Sequence, residues 1–209
     1  MSKLVDRAID AAGLGAVLAA RRAKAPLDGH LARLRAADLL ALGALADQVR
    51  AEEVGADVRI HAGGDGGSPS SGETIILPRG DGEITGLELL REVAVARIAG
   101  PHGVHVRIDW DRCGLELAQV ALGFGADELV GLLATKRGLP IADGELLGVG
   151  KKSRRELAQV VKRKELAACV ERAGRVAVFV RADGAVESIE GAVEGGDEVE
   201  EAEHLQEAM

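Results

Sequence analysis

Several groups of residues in this chain are of types that do chemistry. Between His61 and Gly72 it reads HAGGDGGSPSSG, where Gly63, Gly64, Gly66 and Gly67 leave backbone N–H groups unobstructed. Such a run either cradles a phosphate or serves as a flexible linker. It has neither the Gly-Lys-Ser/Thr ending of a nucleotide loop nor dinucleotide-fingerprint spacing, and a strand is expected after it. His102 and His105 are three apart, with Asp109 and Asp111 close behind. Imidazole and carboxylate together suit a metal. A turn position for one histidine and a strand position for the other favour a structural, hydrogen-bonded role and no metal. His61 with Asp65 and Glu73 forms an acid–base group only if the glycine run folds over the sheet. Asp127 and Glu128 stand where a helix gives way to a strand; carboxylates there either hold a polar substrate group or cap the turn. Of the two cysteines, Cys169 reads as a small core residue and Cys113 as a partly exposed thiol.

The elements that must position these residues can be read from spacing. Ser2 to Lys24 predicts one or two leader helices, weakened at Gly13 and Gly15. Leu31 to Arg50 predicts a stronger helix with an apolar stripe. Val58–Ile60 and the apolar run Thr74–Leu77 predict strands, the second buried. Thr85 and Glu88 form a capping box that opens a helix ending at Gly100-Pro101. Val104 to Ile108 alternates as a strand, Leu115 to Leu122 is helical, and Ala126 to Val130 is a short buried strand. Leu132 to Gly150 reads as loop. Ser153 and Glu156 suggest a second capping box, opening a helix that continues through Val170. Arg175 to Arg181 predicts a strand, and Asp183-Gly184 a hairpin turn into an antiparallel return.

Composition narrows the class. Hydrophobic residues make up 47% of 209, enough for a core, yet there is one Trp, two Phe and no Tyr. The core must be aliphatic, as suits helices on a parallel sheet. The net charge is −8, but ten acids and no Lys or Arg lie from Asp183 onward, which leaves the body near +2. That argues against nucleic-acid binding through this end, and the segment from Gly191 is expected to be a disordered acidic tail. Two distant cysteines, no signal-peptide pattern and no long apolar window lead to the expectation of a cytoplasmic chain without a membrane span.

Certain longer strings carry a resemblance: TGLELLREVAVARI, HVRIDW and above all LELAQVALGFGADELVG, together with DGHLARLRAADLLALGALADQVR before them and SRRELAQVVKRKELAACVERAGRVAVFVR after. These resemble the radical-SAM enzymes of the futalosine route to menaquinone, aminofutalosine synthase and the cyclic dehypoxanthine futalosine synthase. The resemblance implies an α/β fold: an incomplete (β/α) barrel, or an open, mostly parallel sheet with outer helices. A helical leader (1–53), a partial barrel-like domain (54–190) and the acidic tail (191–209) follow from it. That family's iron–sulfur cluster needs the three thiolates of C-x-x-x-C-x-x-C, and this chain has two cysteines in all, so no cluster or other cofactor is expected. The implied function is non-catalytic or auxiliary, as a subunit or partner of a menaquinone-biosynthesis enzyme complex, with a protein partner or a second copy covering exposed strand edges. The alternatives are a small cluster-free enzyme or phosphate-ligand-binding protein, in which Gly63, Gly64, Gly66, Gly67, His102, His105, Asp127 and Glu128 are the candidate ligand-binding residues, and a structural subunit docking through its tail.

Overall fold

The computed structural model describes residues 3–62, 72–78, 84–134, 161–181 and 184–187. Its strands are β1 (Asp57–Ala62), β2 (Thr74–Leu77), β3 (His105–Asp109), β4 (Glu128–Gly131), β5 (Leu133–Ala134), β6 (Val161–Lys162), β7 (Val176–Val180) and β8 (Val186–Glu187). Six of them form one sheet in the order β2-β3-β4-β1-β7-β8, while β5 and β6 make a separate parallel pair. The first five strands of the large sheet are parallel, and β8 returns antiparallel along β7. The expected open, mostly parallel sheet is therefore what forms. β1 lies between β4 and β7 rather than beside β2, which differs from the sequential strand order of a (β/α) barrel.

The helices are α1 (Lys3–Ala11), α2 (Gly15–Arg22), α3 (Leu31–Ala36), α4 (Leu39–Glu53), α5 (Gly86–Ala99), α6 (Trp110–Cys113), α7 (Leu115–Leu122) and α8 (Arg163–Arg172). The capping box of α5 is formed: the Thr85 hydroxyl accepts from Glu88 N, and the Glu88 carboxylate accepts from Thr85 N at 3.0 Å. Three expectations change. The helix expected over Leu31–Arg50 is two helices, because Ala37 is extended and Asp38 caps a new start by accepting from Ala41 N. β2 is an edge strand, not a buried one: Ile76 is 44% exposed. The last helix starts at Arg163, since Val161 and Lys162 pair in β6; Ser153 and Glu156 lie outside the described residues, as does the tail from residue 188.

Strand alternation sorts the sheet into two unlike faces. Val58, Ile60, Val106, Ile108, Leu129, Ala177 and Phe179 point one way and are buried with Leu42, Leu45 and Val49 of α4, Leu89, Val93 and Ile98 of α5, and Leu166 and Val170 of α8. Ile9, Leu14 and Val17 of the leader belong to the same core. Each such side chain contributes roughly 1.5–3 kcal/mol on leaving water. The other face carries, in register across the middle of the sheet, Val178, Arg59, Glu128, Arg107 and Ile76. One step toward the carboxyl ends come Val180, His61, Val130 and Asp109. The leader is pinned at the opposite end by Arg21, which donates to both oxygens of Glu53 at 2.7 and 2.8 Å and to the carbonyls of Gly100 and Pro101.

The carboxyl end of β4 is packed too closely for a side chain. A Cβ on Gly131 would lie 2.2 Å from Trp110 Cε2, so the indole rests directly on the strand. Gly131→Ala must displace the ring, costing about 1–3 kcal/mol. Thermal denaturation should show a Tm several degrees lower, whereas Gly29→Ala, where nothing lies within 4 Å of the new carbon, should leave it near the parent value. Equal Tm values for the two variants would refute this packing.

Candidate functional site

Five ionisable side chains meet on the sheet face opposite α4, α5 and α8. Glu128 is fully buried, and its Oε2 accepts from Arg107 Nε and Nη2, both at 2.9 Å. Arg59 Nη1 stands 3.7 Å from the other oxygen. A carboxylate with no access to water needs this compensation, because desolvation alone would cost several kcal/mol. Each arginine then meets a histidine. Arg107 Nη2 lies 3.2 Å from His61 Nε2, and Arg59 Nη1 lies 3.3 Å from His105 Nε2. A guanidinium only donates, so both Nε2 atoms accept, and the ring proton of each neutral histidine belongs on Nδ1. For His105 that proton is used: Nδ1 donates to Asp127 Oδ2 at 2.6 Å. For His61, 1% exposed, Nδ1 is buried and has no hydrogen-bond partner.

Asp127 does different work from its neighbour. It precedes β4 at the amino edge of the sheet, where Oδ1 accepts from buried Arg97 and from Val106 N at 2.8 Å. Arg97 also donates to the carbonyls of Val104 and Gly125. Burial pulls the Arg97 guanidinium below its ordinary pKa, and the Asp127 charge opposes that shift. Asp127 is thus a structural anchor that engages Arg97, Val106 and His105 together.

The carboxyl edge holds two more acids. Asp109 caps α6 by accepting from Asp111 N at 3.0 Å, and Asp111 Oδ2 accepts from Leu132 N at 3.0 Å. Asp111 Oδ1 and Trp110 Nε1 are buried without partners. Burial raises both carboxyl pKa values, and Asp109 adds repulsion at Asp111. Burial likewise pushes the Cys113 thiol up to about 11, away from thiolate reactivity.

The expected site residues therefore divide. His105, Asp127 and Glu128 come together. His102 does not join them: its Nδ1 lies 3.1 Å from Glu53 Oε1, at the rim of a cleft of about 340 Å³ lined by Arg21, Lys24, Pro26, Leu27 and Pro101. That cleft opens beside the turn leading into β3, at the amino edge, where conserved chemistry is not usually built in parallel α/β folds. Gly63, Gly64, Gly66, Gly67 and Asp65 lie outside the described residues. His61 is paired with Arg107 and Glu128 rather than with Glu73, whose carbonyl accepts from His105 N. No group of three metal-ligating side chains occurs among the described residues. Nor does the cysteine set fit a three-thiolate cluster: Cys113 is on α6 and Cys169 on α8. No helix among the described residues is long and apolar enough to cross a membrane. Sequence reasoning missed Arg59 and Arg107. Their signal was a repeated Val-Arg-Ile, a charge held between two core residues in each of two strands.

Two tests follow from this geometry. Arg97→Met leaves Asp127 buried against an apolar chain and should cost about 3–5 kcal/mol in chemical denaturation, as should Asp127→Leu. The Arg97→Met/Asp127→Leu double variant should cost less than the sum, and strict additivity would show that the two do not interact. For Asp111, a pKa above its ordinary 3.8 means the folded state holds this proton more tightly than the unfolded chain does. Its contribution to stability therefore falls as pH rises from about 3.8 through the raised value. Asp111→Asn should raise Tm at pH 7 and converge with the parent in acid; a uniform loss at every pH would rule out a desolvated carboxylate.

No protein-family model matches the chain, and a search of curated proteins likewise returns no match.

Proposed function

We propose that this chain is an auxiliary, non-catalytic relative of the radical-SAM enzymes it resembles, acting as a subunit or partner of a menaquinone-biosynthesis or related enzyme complex. The observation that supports this reading best is the state of the charged groups on the sheet face opposite α4, α5 and α8. Glu128 is held by Arg107 and Arg59, both histidines accept from arginines, and Asp109 is committed to capping α6. A general base or nucleophile needs a lone pair directed at substrate, and these are directed at one another. The face is built to recognise rather than to react. The edge strand β2, with Ile76 open to water, favours a protein neighbour, since uncovered edges are usually paired or protected.

A second reading, a cluster-free ligand-binding protein on the same frame, draws on the unpartnered His61 Nδ1. It needs no partner protein.

The test is co-purification. Tagged full-length chain, prepared without oxygen from its native cells, should bring down a protein whose sequence carries C-x-x-x-C-x-x-C. The chain by itself should hold no stoichiometric iron. Recovery of the chain alone as a stable monomer counts against a partner role, and a brown chain with its own iron and sulfide overturns the reading entirely.

A further inference from the structure

The cleft beside His102 has its charges paired at the back and unpaired at the mouth. At the back, Arg21 reaches from α2 to Glu53 and to the carbonyls of Gly100 and Pro101, and Glu53 also accepts from Gly103 N at 2.9 Å. Those two charges cancel. Lys24 and Asp28 line one wall, yet no ion pair joins them, and neither side chain has a hydrogen-bond partner among the described residues. On the wall built from the end of α5 and the turn after it, His102 directs Nδ1 at Glu53 Oε1, 3.1 Å away, which leaves Nε2 without a partner. A carboxylate only accepts, so in the neutral ring the proton is on Nδ1 and Nε2 is an acceptor.

Lys24 holds its place against its backbone preference. α2 ends in a Schellman turn: Ala25 N donates to Ala20 O at 2.9 Å, and Lys24 N to Arg21 O at 3.0 Å. Such a turn puts one residue in the left-handed region, and here that residue is Lys24, with φ 55°, the sole non-glycine of positive φ among the described residues. Glycine fits that position without steric cost. Nor does the helix end need another cation, since Arg21 and Arg22 already stand in its last turn. What Lys24 adds is an uncommitted ammonium at the cleft.

Size and lining name the ligand. About 340 Å³ is at the small end of the roughly 300–1,000 Å³ of small-molecule pockets. Leu27, Leu31 and Pro101 make the lining apolar between the polar groups. We infer that this cleft binds a free aliphatic α-amino acid, whose carboxylate meets Lys24, whose ammonium donates to Asp28 and His102 Nε2, and whose side chain lies on Leu27 and Leu31. One wall belongs to the leader and the other to the α5–β3 turn, so an occupant ties the leader to the sheet. The amino edge is not where parallel sheets usually place a reacting substrate, which makes the ligand an effector. The inference is independent of the partner role.

The experiment titrates ¹⁵N-labelled full-length chain with L-leucine, with N-acetyl-L-leucine, which lacks the ammonium, and with L-leucinamide, which lacks the carboxylate. L-leucine should shift the Ala25, Gly100 and Gly103 amides saturably, and each analogue should bind roughly tenfold or more weakly. Lys24→Gly should raise Tm, by relieving the left-handed backbone, while weakening L-leucine roughly tenfold. A lysine with only a structural role would not give a gain of stability together with a loss of binding. Asp28→Asn, a second and milder variant, should erase most of the preference for L-leucine over N-acetyl-L-leucine. The site is overturned by the absence of a saturable shift with L-leucine, by equal binding of L-leucine and either analogue, or by undiminished L-leucine binding in Lys24→Gly.

Discussion

One residue holds the frame on which everything else is mounted. Asp127 exchanges backbone hydrogen bonds with β3 through Val106 O and with β1 through Arg59 N. Its carboxylate takes Arg97 from α5, the Val106 amide and His105. A single buried acid thereby fixes two strands, one helix and the first histidine of the charged face. The pair is costly to bury and more costly to break, so it contributes registration more surely than net stability. It works beside the backbone ladders of β1, β3 and β4 and the apolar packing of α5, which set the same register.

From that anchor the sheet divides its labour by alternation. One face is aliphatic and closed by α4, α5 and α8, as the near-absence of aromatic residues requires. The other carries Arg59, Glu128 and Arg107 side by side, with the carboxylate between the two guanidinium groups. The same alternation explains why neighbours in sequence have different fates. Asp127 and Glu128 are adjacent, yet one caps the amino edge and the other stands mid-sheet among arginines. Asp109 faces the charged row, and Trp110, one residue on, covers Gly131. Low local polarity strengthens the hydrogen bonds of that row and makes the one missing link, at His61 Nδ1, expensive.

How much of this was legible beforehand depends on the range of the interaction involved. The Thr85–Glu88 capping box, the strand at 105–109, the helix at 115–122 and the return of β8 along β7 are local matters, set by caps, turns and apolar period, and the sequence by itself determined them. The break at Asp38 went unread because Asp is tolerated within a helix and favoured at its start, and only the extended Ala37 distinguishes the two. The placement of β1 between β4 and β7 was beyond reach, for strand order is a choice among distant partners of similar pattern. So was the ring of Arg59, His61, His105, Arg107 and Glu128: their types were visible, but three strands far apart in sequence had to be laid side by side in one register before two arginines could face one carboxylate.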